Sequence, residues 1–184
     1  MLPSSRRAAL AALAPLLLLT CSEPEPDPLD PGVVEDIARE EGDAEGSDQS
    51  GQYVFESVGT PTCDCPMTSQ IALCSVDLST LTTIGVEINI IQSDGALVIS
   101  AESPDGAIAL SGAIDADGGF DVGGVYNLSS VIGEADIFIR LTGTFSAPGS
   151  LTASLLDRVK GQFGDQSIDC RTEGEVAATR VPAS

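Results

Sequence analysis

Between residues 84 and 180 the chain alternates apolar and polar positions in short runs, each broken by Gly or Asp. In Val86-Glu87-Ile88-Asn89-Ile90 the period is two, the signature of a strand with one buried face. Ser93-Asp94-Gly95 then turns the chain into Ala96-Leu97-Val98-Ile99-Ser100. Asp-Gly recurs at Asp94, Asp105 and Asp117, spacings of 11 and 12, and between apolar runs this dipeptide marks hairpins. The rhythm predicts eight strands, at 52–58, 84–92, 96–102, 107–114, 119–126, 135–146, 150–162 and 167–180. The last three are long and contain Gly143, Gly161 and Gly174, where they are expected to bend. No run of fifteen residues keeps a helical stripe; the best helical candidate is the short segment 69–73. The fold class is therefore all-β: an antiparallel meander closing into a small, roughly eight-stranded up-and-down barrel, with a β-sandwich as the alternative.

A barrel of this size is either filled by side chains or open to one small ligand. Along 107–114 the two faces differ: Ala107, Ala109, Ser111 and Ala113 leave volume, whereas Ile108, Leu110 and Ile114 fill it. Alternation alone does not say which set faces inward. With five Phe and two Tyr in the chain, large aromatic side chains are few for such an interior. The hollow reading makes Val86, Ile88, Ile90, Leu97 and Ile99 the candidate wall of an apolar ligand site.

The first fifty residues follow different rules. Residues 1–20 have the build of a secretory signal peptide, with Arg6 and Arg7 ahead of an apolar run from Ala8 to Leu19. That run is interrupted by Pro15 and is shorter than the ~20 residues a membrane span needs. Leu18-Leu19-Thr20-Cys21 resembles the lipobox of bacterial lipoproteins, departing from it at Thr20, where a smaller residue is usual. The resemblance implies an acylated Cys21 at the mature N-terminus, and Ser22 in place of Asp implies the outer membrane. Residues 21–50 hold eleven acids and one base, with Glu23-Pro24-Glu25-Pro26-Asp27-Pro28 at their start and no aromatic. Such a composition reads as a disordered acidic linker, leaving 51–184 as the β-barrel domain.

Composition removes whole classes of chemistry. The chain has no His, so imidazole-dependent acid–base, nucleophilic and metal chemistry within this chain is excluded. A formal charge of −20 and only eight basic residues repel phosphate backbones, so no nucleic-acid partner is expected. Asp115-Ala116-Asp117-Gly118-Gly119-Phe120-Asp121 fails as an EF-hand loop, because Gly119, Phe120 and Tyr126 occupy its fifth, sixth and twelfth places. No nucleophile elbow, Walker loop or dinucleotide fingerprint is present, and without Trp a sugar-stacking cleft is poorly supplied. No enzyme activity, catalytic residue, metal or cofactor is expected.

With Cys21 lipidated, Cys63, Cys65, Cys74 and Cys170 form an even set in an oxidising compartment, which predicts two disulfides. Cys63 and Cys65 are too close to pair with each other, so each is expected to pair with Cys74 or Cys170. One bridge then staples the loop 59–83 to the last strand. A four-cysteine zinc site is the rival reading.

Gly51-Gln52-Tyr53 at the first strand, Arg180 at the end of the last and eight meandering strands between them resemble the calycins, the lipocalins and fatty-acid-binding proteins. Tyr53 stands where that family has Trp. The resemblance implies a basic side chain packed across the barrel base and an apolar ligand inside. Together these readings predict a non-enzymatic exported lipoprotein, attached to the bacterial outer membrane through its lipid anchor. Its barrel is expected to bind a small apolar ligand or a protein partner; the alternative is a structural surface-coat protein with a filled barrel.

Overall fold

The computed structural model describes residues 26–43, 47–65, 86–103, 106–130, 133–147 and 149–182. The leader expected at 1–20, Cys21, Cys74, the helical candidate at 69–73 and the first two residues of the strand expected at 84–92 lie outside these residues. Eight strands follow one another around a closed antiparallel barrel: β1 (Gly51–Asp64), β2 (Val86–Ser93), β3 (Ala96–Ser103), β4 (Gly106–Ile114), β5 (Gly119–Ser130), β6 (Gly133–Ala147), β7 (Ser150–Phe163) and β8 (Gln166–Arg180). The barrel, and not the sandwich, is the fold. β8 returns to pair with β1, placing Tyr53 opposite Arg180 and Phe55 opposite Ala178. Closure pairs the two strands that an open meander would leave as edges.

Asp94 lies at φ 51° in the two-residue turn joining β2 to β3, as an Asp-Gly hairpin demands. β1 is longer than expected, continuing to Asp64 instead of stopping at 58. A register shift between Val58 and Thr62 absorbs Gly59-Thr60-Pro61, after which pairing with β8 resumes at Glu173. Pro61 has no N–H for a ladder and is tolerated at such an irregularity.

The interior face is largely apolar on every strand. Tyr53, Phe55, Ile88, Ile90, Leu97, Ile99, Leu110, Phe120, Val122, Leu141, Leu151, Leu155 and Val176 are buried and join in one continuous cluster drawn from all eight strands. On β4 it is Ile108, Leu110 and Ile114 that are buried, whereas Ala107 and Ala109 are exposed. The small-residue face of this strand therefore points outward, and its large residues face the interior. A smaller cluster of Ala135, Val159 and Ile168 lies toward the opposite end, with Ile137 packed against both.

Residues 26–43 correct the linker reading of 21–50. They form a strap across the outer wall, containing a short helix, α1 (Pro31–Ile37). Asp30 caps it, accepting a hydrogen bond from the Gly32 N–H at 3.1 Å, and Pro31 begins its first turn. Leu29, Val34 and Ile37 are buried, Leu29 and Val34 against Phe138 and Leu156 of the outer face. The wall is cut back to receive them: a Cβ at Gly123 would lie 3.0 Å from the Val34 carbonyl oxygen. Further along, the Ser111 hydroxyl donates to the Ala38 carbonyl at 3.0 Å and the Gly42 N–H to the Gly95 carbonyl at 2.9 Å. Average composition gives no hint of this, because the burial rests on three apolar residues among many acids.

Candidate ligand site in the barrel lumen

The two ends of the barrel differ. At the end carrying the β2–β3, β4–β5 and β6–β7 hairpins, Tyr53 packs edge-on to Phe145 with centroids 6.3 Å apart, and Phe120 lies 5.2 Å from the same ring. Gln49, 5% exposed, lies across this end; its carbonyl accepts the Tyr53 hydroxyl at 2.8 Å and its N–H donates to Gln92 Oε1 at 2.9 Å. Burial raises the Tyr53 phenol above its ordinary value, with Arg180 opposing and Asp48 adding to the rise. The Arg180 side chain passes so near Gly51 that a Cβ there would come within 2.5 Å of its Nε. Gly51, Tyr53 and Arg180, the three residues of the calycin resemblance, thus meet at one end, which Gln49 and the aromatic rings cover.

The opposite end carries the disulfides. Cys65 is bonded to Cys170 across 105 residues of sequence, fastening the segment after β1 to β8. Cys63 is also disulfide-bonded, to a partner outside the described residues. The Cys65–Cys170 bridge removes two thiols that a four-cysteine zinc site would need. Among the described residues no three of Cys, Asp and Glu are grouped to hold a metal ion.

Val86, Ile88, Ile90, Leu97 and Ile99, the candidate ligand wall, are brought together on β2 and β3, with Ile90 directly opposite Ile99. Four of them are at most 2% exposed and Val86 is partly buried, all packed with the main interior cluster. They pack in the half of the barrel interior that ends at the aromatic cover.

One interior position breaks the apolar pattern. Leu151, Ala153, Leu155, Asp157 and Val159 occupy alternate positions of β7, and all are buried. Asp157 is 5% exposed, the one buried ionisable acid or base among the described residues apart from Tyr53. Its ladder neighbours are Ile139 on β6 and Thr172 on β8. It therefore stands between Leu155 of the large cluster and Val159 of the small one. Its Oδ1 has no hydrogen-bond partner. Burial raises its carboxyl to about 6, and the Thr172 side chain, by hydrogen bonding, is what pulls the other way. Arg180, the one base at an inward position of the described strands, is eight residues along β8 from Thr172, about 26 Å at the usual rise per residue.

The outer wall behind Asp157 has the opposite character. Arg158 makes a two-pronged contact to Asp169, both bonds 2.6 Å, and reaches Asp27 of the strap at 3.2 Å; Arg171 also hydrogen-bonds Asp27. The Arg158 hydrogen bonds hold the Asp169 carboxyl below its usual value despite some burial. For Asp27, burial pushes upward, but the Leu29 N–H, Arg171 and Arg158 together bring it below the usual value. These acids are paired and solvated. Asp157 is neither.

Sequence reading missed Asp157, although a signal exists: it occupies an apolar-parity position in an otherwise unbroken buried face. The chain matches no protein-family model, and no curated protein matches it.

Proposed function

We propose that this protein is a non-enzymatic binding module, exported and held at the bacterial outer membrane by an acylated Cys21, whose calycin-like barrel takes a small, largely apolar ligand. The observation that carries the ligand reading is Asp157. A buried acceptor left unsatisfied costs about 1–3 kcal/mol, more when charged, and such groups in a well-packed interior are characteristic of sites with a use beyond stability. A few polar groups set among apolar side chains are what orient ligands in small-molecule sites. This reading puts the ligand in the half of the barrel nearer the disulfides, because Gln49 and the aromatic rings cover the hairpin end.

The experiment is titration with N-phenyl-1-naphthylamine, a neutral probe that brightens in apolar surroundings. Saturable brightening with a rise in Tm supports the reading, since a ligand bound only by the folded state stabilises it by mass action. An unsaturable, protein-independent signal refutes it. In that case the second reading stands, a structural lipoprotein with a filled barrel, which the continuous cluster drawn from all eight strands favours. The anchor is tested separately: mass spectrometry should find an acylated Cys21 at the mature N-terminus, and Cys21→Ser should release the protein from membranes.

A further inference from the structure

The carboxyl of Asp157 defines what the ligand's polar end must be. It is an acceptor with one oxygen unpartnered, set among Ile139, Leu155 and Val159. The side chains that face it from neighbouring strands are Ile139 from β6 and Thr172 from β8, neither of them charged. The other titratable side chains at inward positions, Tyr53 and Tyr126, carry no positive charge, and Arg180 is at the far end over Gly51. With a midpoint of about 6, most Asp157 carboxyls are ionised at pH 7. A buried anion in that position is complemented by a cation and repelled by a second anion. The whole molecule reinforces the choice, since a formal charge of −20 concentrates small cations around it and disfavours fatty carboxylates.

We propose that the disulfide half of the lumen is a site for an apolar amine, whose ammonium group donates to Oδ1 of Asp157 while its hydrocarbon chain lies along Ile137, Ile139, Leu155 and Val159. This rests on the binding-module reading and names its ligand class.

Decylamine, decanol and decanoate share one chain and differ only in the head group, so their displacement of N-phenyl-1-naphthylamine at pH 7 isolates the head. Decylamine is expected to displace the probe at concentrations at least tenfold below decanol, with decanoate the weakest. In Asp157→Asn the amine advantage over decanol, with each potency referred to the probe's own affinity for that variant, should shrink to within twofold. On the wild-type protein, the Asp157 carboxyl followed by ¹³C NMR should titrate at least one pH unit lower with decylamine bound, which incidental binding elsewhere would not cause. Equal potency of the three chains, an amine advantage that survives Asp157→Asn, or an unmoved carboxyl midpoint each overturns the amine assignment and leaves a binding module. Failure of the probe to bind saturably removes the binding module itself, and this inference with it.

Discussion

Replacing Asp157 by Asn should stabilise the protein at neutral pH and do so by an amount that depends on pH. The folded-state carboxyl titrates at about 6, whereas in the unfolded chain it returns to 3.8. Between these values the folded chain keeps a proton that the unfolded chain has lost. Stability conferred by that proton is therefore full below about pH 4, declines as pH rises through 6, and is absent above it. Two units at 1.36 kcal/mol each set the size at ~3 kcal/mol, an upper figure because relaxation around the charge reduces it. Asn has nearly the same shape and no charge to desolvate. The difference in stability between Asp157→Asn and wild type should thus be near zero at pH 4 and grow to ~1–3 kcal/mol by pH 7.5.

Urea unfolding followed by far-UV circular dichroism measures this directly; the chain has no Trp to serve as a fluorescence reporter, and urea adds no ionic strength. The comparison cancels the other acids. Asp27, Asp48 and Asp169 have lowered carboxyls and lose their contribution as pH falls, but both proteins carry all three. A stability difference that is flat from pH 4 to 7.5 would refute the reasoning, as would a variant that becomes less stable relative to wild type as pH rises. Either result would mean that the carboxylate has a partner in solution.

Two further expectations concern the framework. Leu29→Ala removes a side chain 2% exposed beneath the strap and should cost ~2–4 kcal/mol in urea unfolding; a freely solvated linker would show no change. Exchanging both Cys65 and Cys170 for Ser opens a bridge spanning 105 residues and should lower stability by ~2–5 kcal/mol, read as a fall in Tm under non-reducing conditions.

The strand rhythm was legible because a barrel buries one face of every strand, so the period of two survives from Val86 to Ala178 with little interruption. The Asp-Gly turns added order, and order in a meander is nearly topology. What alternation cannot convey is polarity, the choice between the two faces. On β4 both faces are uncharged, and only the neighbours decide that Leu110 goes in and Ala109 out. β1 ran past its expected end because a register shift lets pairing resume beyond Pro61, a tertiary effect without a local signature. The strap was hidden for a related reason. Leu29, Val34 and Ile37 become buried only because Gly123 and Phe138, roughly a hundred residues later, form a receiving surface. Asp157 was legible in principle, since a carboxylate at an apolar-parity position of a strand needs an explanation, but its neighbour Arg158 offers a false one. The two face opposite sides of the wall, and Arg158 binds Asp27 and Asp169 outside.

The strap also changes what an anchor at Cys21 would do. A linker of some thirty residues would hold the barrel off the membrane and let it tumble. Asp27, however, is already fixed to Arg158 and Arg171, which leaves six residues of slack from Cys21 and a reach of about 20 Å at full extension. Those two arginines flank Asp157 and Thr172 in sequence, so the clamp lies on the outer wall of the disulfide half, behind the buried carboxyl. A lipid at Cys21 would therefore hold that half of the barrel nearer the bilayer than the aromatic-covered end. An anchor at Cys21 and the strap would then bear on the same end of the barrel as Asp157, and cutting the Asp27 clamp would lengthen that tether.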